Sequence, residues 1–534
     1  LLLLGFVAAA CGGGGGSATG TSPPAAEPNP DATIRIASDE DRWPFEVTGR
    51  GAGSTHFAYV LNVNVYEPLI YLASDYTLKP GLAERWELQP DGRTWRFFLR
   101  RGVTFHDGSP FTADDVVWTW GVRQMEGKTL PTVANTLGPD SVRKVDDFTV
   151  DFTPTQLNLR LPEQIVHPEG AIVKRNTHND TPPYAGTGPF RVVSYTPEQS
   201  VIVERNDDYW GERPKAKRLE IRFIPDRQTR LEALRAGQVD FVIDIPPDAV
   251  RALESDSQFR VVKSRPGRNH LIYLNKTEGR LTSERAVREA ISHAVDRRAY
   301  VDVVLDGNGE PGRYMAIDAV LGQFAGRVAP IGHDPGRARR VLDEAGWRVG
   351  SDGIRERDGA KLRLILLGQQ EVAEDALIVI QSNLKDVGID VEIRKTPDLA
   401  TRNSLYAGGQ GDFDLDLEPP NQNDGNPAFL PVLRFYSKTS SPRTAQFAPN
   451  AEPATPNGPE FDAEAEKSLA ARTTPEAQAA SARMMQILIN EDYIVVPLAG
   501  VYRIYGMSSN VALADPHPSF TNQTWVSLQM SNGS

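Results

Sequence analysis

Two strand–helix–strand patterns about 140 residues apart constrain this chain more than any other feature. In the first, Leu219 to Ile224 alternates apolar and polar residues as a strand does. Arg227 to Ala236 then carries helical spacing through Leu231 and Leu234, Gly237 stops the helix, and Val239 to Ile245 is strand-like again. The second repeats the order, with Leu362 to Leu367 as strand, Ala373 to Val387 as helix, Gly388 as its C-cap and Ile389 to Ile393 as strand. Each is a βαβ unit, whose crossover lays two parallel strands in one sheet. So wide a separation does not fit one compact sheet, and the sequence predicts an α/β chain with two lobes. At roughly 100–200 residues per domain, a chain of 534 residues implies three or four domain-sized units.

Local punctuation supports this organisation. Thr33-Ile34-Arg35-Ile36 alternates like a first strand, and Thr112-Ala113-Asp114-Asp115 starts a helix in the manner of a capping box. Asp334 as N-cap, Pro335 at the first helical position and Gly346 at the end bracket another helix. Val287, Ile291, Ala294 and Val295 share one apolar face of a helix that begins near Ser283. The Pro/Ser/Thr-rich stretch from Lys438 to Pro459 has no period and is expected to be a long surface loop.

Charge and cysteine usage exclude several classes. A net charge of −12 argues against nucleic acid as a partner, which requires a basic face. The one cysteine, Cys11, excludes a disulfide framework, a Cys-based zinc site and a catalytic thiol in the folded body. It follows the apolar run Leu1 to Ala10 and precedes Gly12 to Gly16. Ten apolar residues are too few to span a bilayer, which takes about 20, but suit the apolar part of an export signal. The arrangement resembles the lipobox of bacterial lipoproteins, which implies lipidation of Cys11 and a membrane anchor; an ordinary signal peptide with an incidental cysteine is the alternative. A Met and a basic start are expected ahead of this stretch. Residues 12–30 then read as a flexible tether reaching about 25 Å.

A search for catalytic chemistry finds no G-x-S-x-G elbow, no H-E-x-x-H and no P-loop. Gly307-Asn308-Gly309-Glu310-Pro311-Gly312 fits G-x-G-x-x-G but follows a helix and leads into a loop, so it reads as a turn rather than a dinucleotide fingerprint. The histidines, at 56, 106, 167, 178, 270, 293, 333 and 517, form no pair at ligand spacing. Neither a metal, a cofactor nor an enzymatic activity is expected.

A series of motifs points elsewhere. It runs Tyr66-Glu67-Pro68-Leu69, Lys79-Pro80-Gly81-Leu82-Ala83-Glu84-Arg85-Trp86, Asp91-Gly92-Arg93-Thr94-Trp95 and Leu99 to Gly108, then Pro110 to Val116. Gly186-Thr187-Gly188-Pro189-Phe190, Glu204 to Trp210, Ile224-Pro225-Asp226, Arg285 to Ile291, Ala294 to Arg297 and Glu344 to Trp347 follow. In this order, over roughly residues 32 to 510, they resemble family 5 extracellular solute-binding proteins, the dipeptide, oligopeptide and nickel receptors of ABC importers.

The resemblance implies a two-lobed periplasmic-binding-protein-like fold of type II with an additional α/β domain. Its layout places lobe I at 31–60, 185–269 and 496–534, the extra domain at 61–184 and lobe III at 270–495, with crossings near Leu271 to Asn275 and Val495 to Leu498. The motifs themselves are expected to be scaffold. The segment Leu417 to Leu430 would supply pocket groups, Glu418, Asn421, Asn423, Asp424 and Asn426, with Asp424 or Glu418 pairing a peptide's amino terminus; turn formation is the alternative role for these residues. Trp43, His56 and Tyr59 are placed either in the cleft or in aromatic core packing. Nickel receptors use a histidine past this segment, and Phe435 to Thr444 contains none, so a nickel chelate is not expected. The resemblance implies a monomeric lipoprotein on the outer face of the cytoplasmic membrane or in the periplasm, passing a small solute, foremost a peptide, to an ABC permease. An unrecognised hydrolase or peptidase, or a chaperone-like binder of unfolded segments, is the alternative.

Overall fold

The computed structural model describes residues 27–39, 56–122, 137–138, 140–177, 184–315, 321–369, 373–397, 399–406, 411–422, 430–437, 447–449, 451, 454–518 and 522–531. Two large sheets dominate them. One has seven strands in the order Phe259–Lys263, Ile504–Ser508, Phe241–Ile243, Thr33–Ser38, Arg218–Phe223, Ser200–Arg205 and Phe190–Thr196. The other has six, in the order Gly309–Pro311, Val495–Val501, Arg268–Leu274, Leu415–Gln422, Arg363–Gln369 and Asp390–Thr396.

Each βαβ unit read from the sequence lies in one of these sheets. Arg218–Phe223 and Phe241–Ile243 both run parallel to Thr33–Ser38, which lies between them, and the helix Arg227–Arg235 connects the two. Arg363–Gln369 and Asp390–Thr396 are adjacent and parallel, joined by the helix Glu374–Lys385. Both helices end where a left-handed residue is needed, at Gly237 and Gly388, whose φ angles are +66° and +87°. The helix Pro335–Glu344 is capped by Asp334, whose carboxylate accepts from the Arg337 amide at 2.7 Å.

The chain passes between the sheets at residues 264–267 and 502–503. This differs from the crossings expected at Leu271 to Asn275 and Val495 to Leu498, because Arg268–Leu274 and Val495–Val501 pair with each other inside the six-stranded sheet. A third, antiparallel sheet of Ala83–Leu88, Trp95–Leu99, Thr149–Phe152 and Val142–Asp146 has its own core around Phe97, Trp120, Phe152 and Ile165. It touches the six-stranded lobe where the Leu159 amide donates to Leu469 O at 2.8 Å.

Four of the motifs prove to be joints between these parts. Glu67, fully buried, accepts from the Tyr71 and Tyr209 hydroxyls at 3.0 and 2.7 Å and from Trp210 Nε1 at 2.8 Å, which ties Tyr66-Glu67-Pro68-Leu69 to the Asp208-Tyr209-Trp210 turn. Burial raises its pKa, while hydrogen bonds from Trp210 and Tyr209 oppose the rise. A Cβ on Gly186 would lie 1.8 Å from Val65 O, and one on Gly188 2.6 Å from Asn64 O, so the Gly186-Thr187-Gly188 turn exists to let two backbones touch. His106 joins the same contact, its Nε2 lying 3.0 Å from Gly188 O. The G-x-G-x-x-G match is a turn at Gly307, with φ of +75°, followed by the edge strand Gly309–Pro311. In the stretch expected as a surface loop, Phe447 is buried and stacked on Tyr273 at 5.5 Å, while Ala454, Pro456 and Pro459 are exposed, so the described part of it lies partly in the core and partly at the surface.

Candidate functional site

In both large sheets the parallel strands run toward the crossings. Ser38, Phe223 and Ile243 end one set, and Gln369, Thr396 and Gln422 end the other. Carboxyl ends of parallel strands are where open α/β sheets leave a crevice, since the connecting loops splay to opposite sides there. Here two such crevices face each other. Between them lies a cavity of about 280 Å³, lined from one lobe by Arg227, Asp244, Ile245 and Ile504 and from the other by His270, Tyr300, Leu417 and Glu418, with Arg268 and Tyr502 at the crossings. The lobes also touch directly beside it, where Asn308 Nδ2 donates to Pro247 O at 3.2 Å and Arg251 pairs with Asp306 at 3.4 Å.

Two ionic clusters build the polar walls. On the six-stranded side, Arg402 and Asp416 are fully buried and paired in bidentate fashion, Nε to Oδ1 at 3.1 Å and Nη2 to Oδ2 at 2.5 Å. Arg402 also reaches Glu418 Oε2 at 3.0 Å, and Arg434 approaches Glu418 Oε1 at 3.5 Å. On the other side Asp244 sits at a left-handed φ of +65°, which points its carboxylate back at both crossings. It faces Arg227 at 3.3 Å, Arg268 at 3.4 Å and Arg503 at 3.6 Å. Burial pushes its pKa up, but the Arg503, Arg268 and Arg227 charges prevail and hold it well below the usual carboxylate range. Burial, joined by the field of Arg503, lowers Arg268 to about 10. His270, whose Nδ1 lies 2.6 Å from the Tyr300 hydroxyl, is lowered to about 3 by burial and by Arg268, so it stays neutral in ordinary buffers.

Of the residues expected to line the cleft, Glu418 does so. Its carboxylate already answers two guanidinium groups, which weighs against it as the partner of a ligand ammonium. Asn421 lies on the strand Leu415–Gln422, and His56 and Tyr59 on the helix His56–Val65, with side chains outside the described residues. Trp43, Asn423, Asp424, Asn426 and Cys11 lie outside the described residues altogether. Sequence reading missed Arg227, Asp244, Arg268, Arg402, Arg434 and Arg503, which no motif joins. Among the described residues no three His, Cys, Asp or Glu side chains are placed to hold a metal ion.

Comparison with known proteins agrees with this architecture. Residues 77–441 match the sequence profile of bacterial extracellular solute-binding proteins, family 5 middle. The chain belongs to this family. This family 5 protein is 33% identical over 344 residues to Protein XP55 of Streptomyces lividans, covering 62% of each chain. To the nickel-binding periplasmic protein of Escherichia coli K12 it is 28% identical over 345 residues, covering 62% of this chain and 65% of the relative. Those alignments thus span just under two thirds of either relative. Among solved structures, NikA from Brucella suis in complex with Fe(III)-EDTA superimposes with a TM-score of 0.80 at 26% identity, over 94% of this chain and 100% of that one. The oligopeptide-binding protein AppA from Bacillus subtilis, in complex with a nonapeptide, does so with a TM-score of 0.75 at 22% identity, over 95% and 100%. The fold is therefore that of the type II periplasmic binding proteins.

Proposed function

We propose that this protein is the substrate-binding component of an ABC importer, taking up a small solute, foremost a peptide, between its two lobes and handing it to a permease. The observation that carries the reading is the cavity where the carboxyl ends of two sheets oppose each other across a pair of chain crossings. A ligand there contacts both lobes when they are closed and one when they are open. That difference in contacts, and nothing else about the ligand, shifts the population toward closure. The three-body division, with 61–184 appended to the first lobe and residues 264–267 and 502–503 as the hinge, belongs to the same proposal.

Lipidation of Cys11 would keep the receptor beside its permease at the membrane's outer face, with residues 12–30 as tether. No helix among the described residues is long and apolar enough to cross a membrane. The receptor would act as a monomer and leave its ligand chemically unchanged.

The test is thermal melting of the full chain against panels of short peptides, sugars and metal chelates. A ligand of the native state raises Tm with the logarithm of its concentration, by about 2.7 kcal/mol of stabilisation at a hundredfold excess over Kd. A Tm rise with peptides, and recovery of those peptides uncleaved, is the expected outcome. Cleaved peptides would point to a peptidase, and preference for long unfolded chains to a chaperone-like binder. Intact mass of membrane-extracted protein tests the anchor.

A further inference from the structure

The hinge end of the cavity carries more positive charge than its own carboxylate answers. Arg227, Arg268 and Arg503 converge on Asp244, each through a single contact of 3.3–3.6 Å. Good charge-assisted hydrogen bonds fall near 2.7–2.9 Å, so one carboxylate is here shared among three cations through longer contacts. Arg230 lies buried behind them, with its Nη1 donating to the Ile224 and Pro225 carbonyls at 2.7 and 2.8 Å. The other acids nearby do not restore balance. Asp39, Asp226 and Asp244 itself act on Arg230, and Glu418 across the cavity is engaged by Arg402 and Arg434. His270, on the same wall, is neutral. Arg268 is nine-tenths buried and lines the cavity, yet its Nε finds no acceptor among the described residues.

We propose that Arg227 and Arg268 form an oxyanion site that takes a carboxylate of the bound solute, with Asp244 holding the two guanidinium groups together, one on each of its oxygens. Planar guanidinium groups match a carboxylate edge to edge, and the buried charge of Arg268 favours an anion over a neutral group of the same shape. Asp244 is too far from each arginine to compete well but close enough to keep the site from repelling itself open. The proposal rests on the solute-receptor reading and sharpens it. The ligand is oriented with its acidic end at the hinge and its remainder extending toward the open side of the cleft.

The experiment compares a pool of tripeptides with free carboxyl ends and the same pool amidated at the C-terminus, by calorimetry and thermal melting of the full chain. Amidation is expected to weaken binding at least tenfold. Arg227→Gln, at a half-exposed position that leaves folding intact, is expected to weaken the acid pool about tenfold, leave the amidated pool unchanged, and be partly rescued by Arg227→Lys. Equal binding of both pools would overturn the oxyanion site while leaving a peptide receptor standing. Binding of neither pool would overturn the peptide reading and this site with it.

Discussion

The two ionic clusters flanking the cavity use the same side chains to opposite ends. In the Arg402 cluster the charges are matched, Asp416 and Arg402 are wholly buried, and the pair meets in fork-to-fork geometry at 2.5 and 3.1 Å. In the Asp244 cluster three guanidinium groups share one carboxylate at 3.3–3.6 Å, and Arg227 is half-exposed. A fork-to-fork pair deep in a sheet fixes the strand Leu415–Gln422 against the helix Leu399–Tyr406. An open cluster, at the place where the chain passes between the sheets, leaves each guanidinium with a longer contact to the shared carboxylate. Geometry, not residue type, separates scaffold from site.

The largest effect is expected from breaking the closed cluster. Arg402→Leu breaks the buried bidentate pair with Asp416 and removes one of the guanidinium partners of Glu418, which costs about 3–5 kcal/mol. Chemical denaturation should show the loss, and adding Asp416→Leu should restore part of it, since two apolar partners are tolerated where one orphaned charge is not. Recovery in the double variant separates the ionic effect from mere loss of packing. A loss under 1 kcal/mol in the single variant would remove the contrast between the clusters.

Asp244→Asn comes next. Asparagine adopts the left-handed backbone as readily as aspartate, so the change isolates charge from strain. Leaving the surrounding arginines without a counter-ion should cost about 1–3 kcal/mol at neutral pH. The folded carboxyl titrates below its ordinary range, so this contribution is complete above about pH 4 and is lost as the pH falls below it. Wild type and variant should therefore converge in acid.

How much of this was legible in the sequence follows from the same distinction. The βαβ units were readable because Leu231 and Leu234, or Leu364 and Leu366, repeat at the period of the element they occupy. The crossings were displaced by a few residues, because the run Leu271-Ile272-Tyr273-Leu274 announces a buried strand without saying which sheet receives it. In Asp414-Leu415-Asp416-Leu417-Glu418 alternation gives a strand, but its acidic face would ordinarily be assigned to solvent; it is buried because Arg402 and Arg434 reach it from other elements. The Asp244 cluster gathers residues 227, 244, 268 and 503, a set no local pattern unites, and the positive φ that aims Asp244 leaves no mark on composition. Scaffold motifs were visible because each is contiguous; charge balance was not, because it is a property of the assembled cleft.

A third measurement follows the field of the open cluster. His270 is held near 3 by burial and by Arg268, whereas His167, in the appended body, is held near 3 by burial. Both lie below the unfolded value of about 6.5, so the unfolded chain takes up protons that the folded chain refuses. Stability is complete above about pH 6.5 and falls as the pH drops toward 3, by about 1.4 kcal/mol per pH unit for each histidine. His270→Gln should make that slope shallower, as should His167→Gln. In the Arg268→Gln background, loss of the guanidinium should raise His270 and leave His167 where it is, readable by histidine ring NMR.

The smallest effect on stability is expected at Arg227. Its guanidinium is half in water and 3.3 Å from Asp244, and a solvent-screened contact of that kind contributes little. Arg227→Gln should shift the unfolding free energy by no more than about 0.5 kcal/mol, because Arg268 and Arg503 still face the carboxylate. The comparison of the clusters requires this small number to accompany a large change in preference for acids over amides. A structural arginine would show the reverse, with stability falling and preference unmoved. Denaturation and calorimetry on one variant therefore decide whether the charge at the hinge belongs to the scaffold or to the ligand.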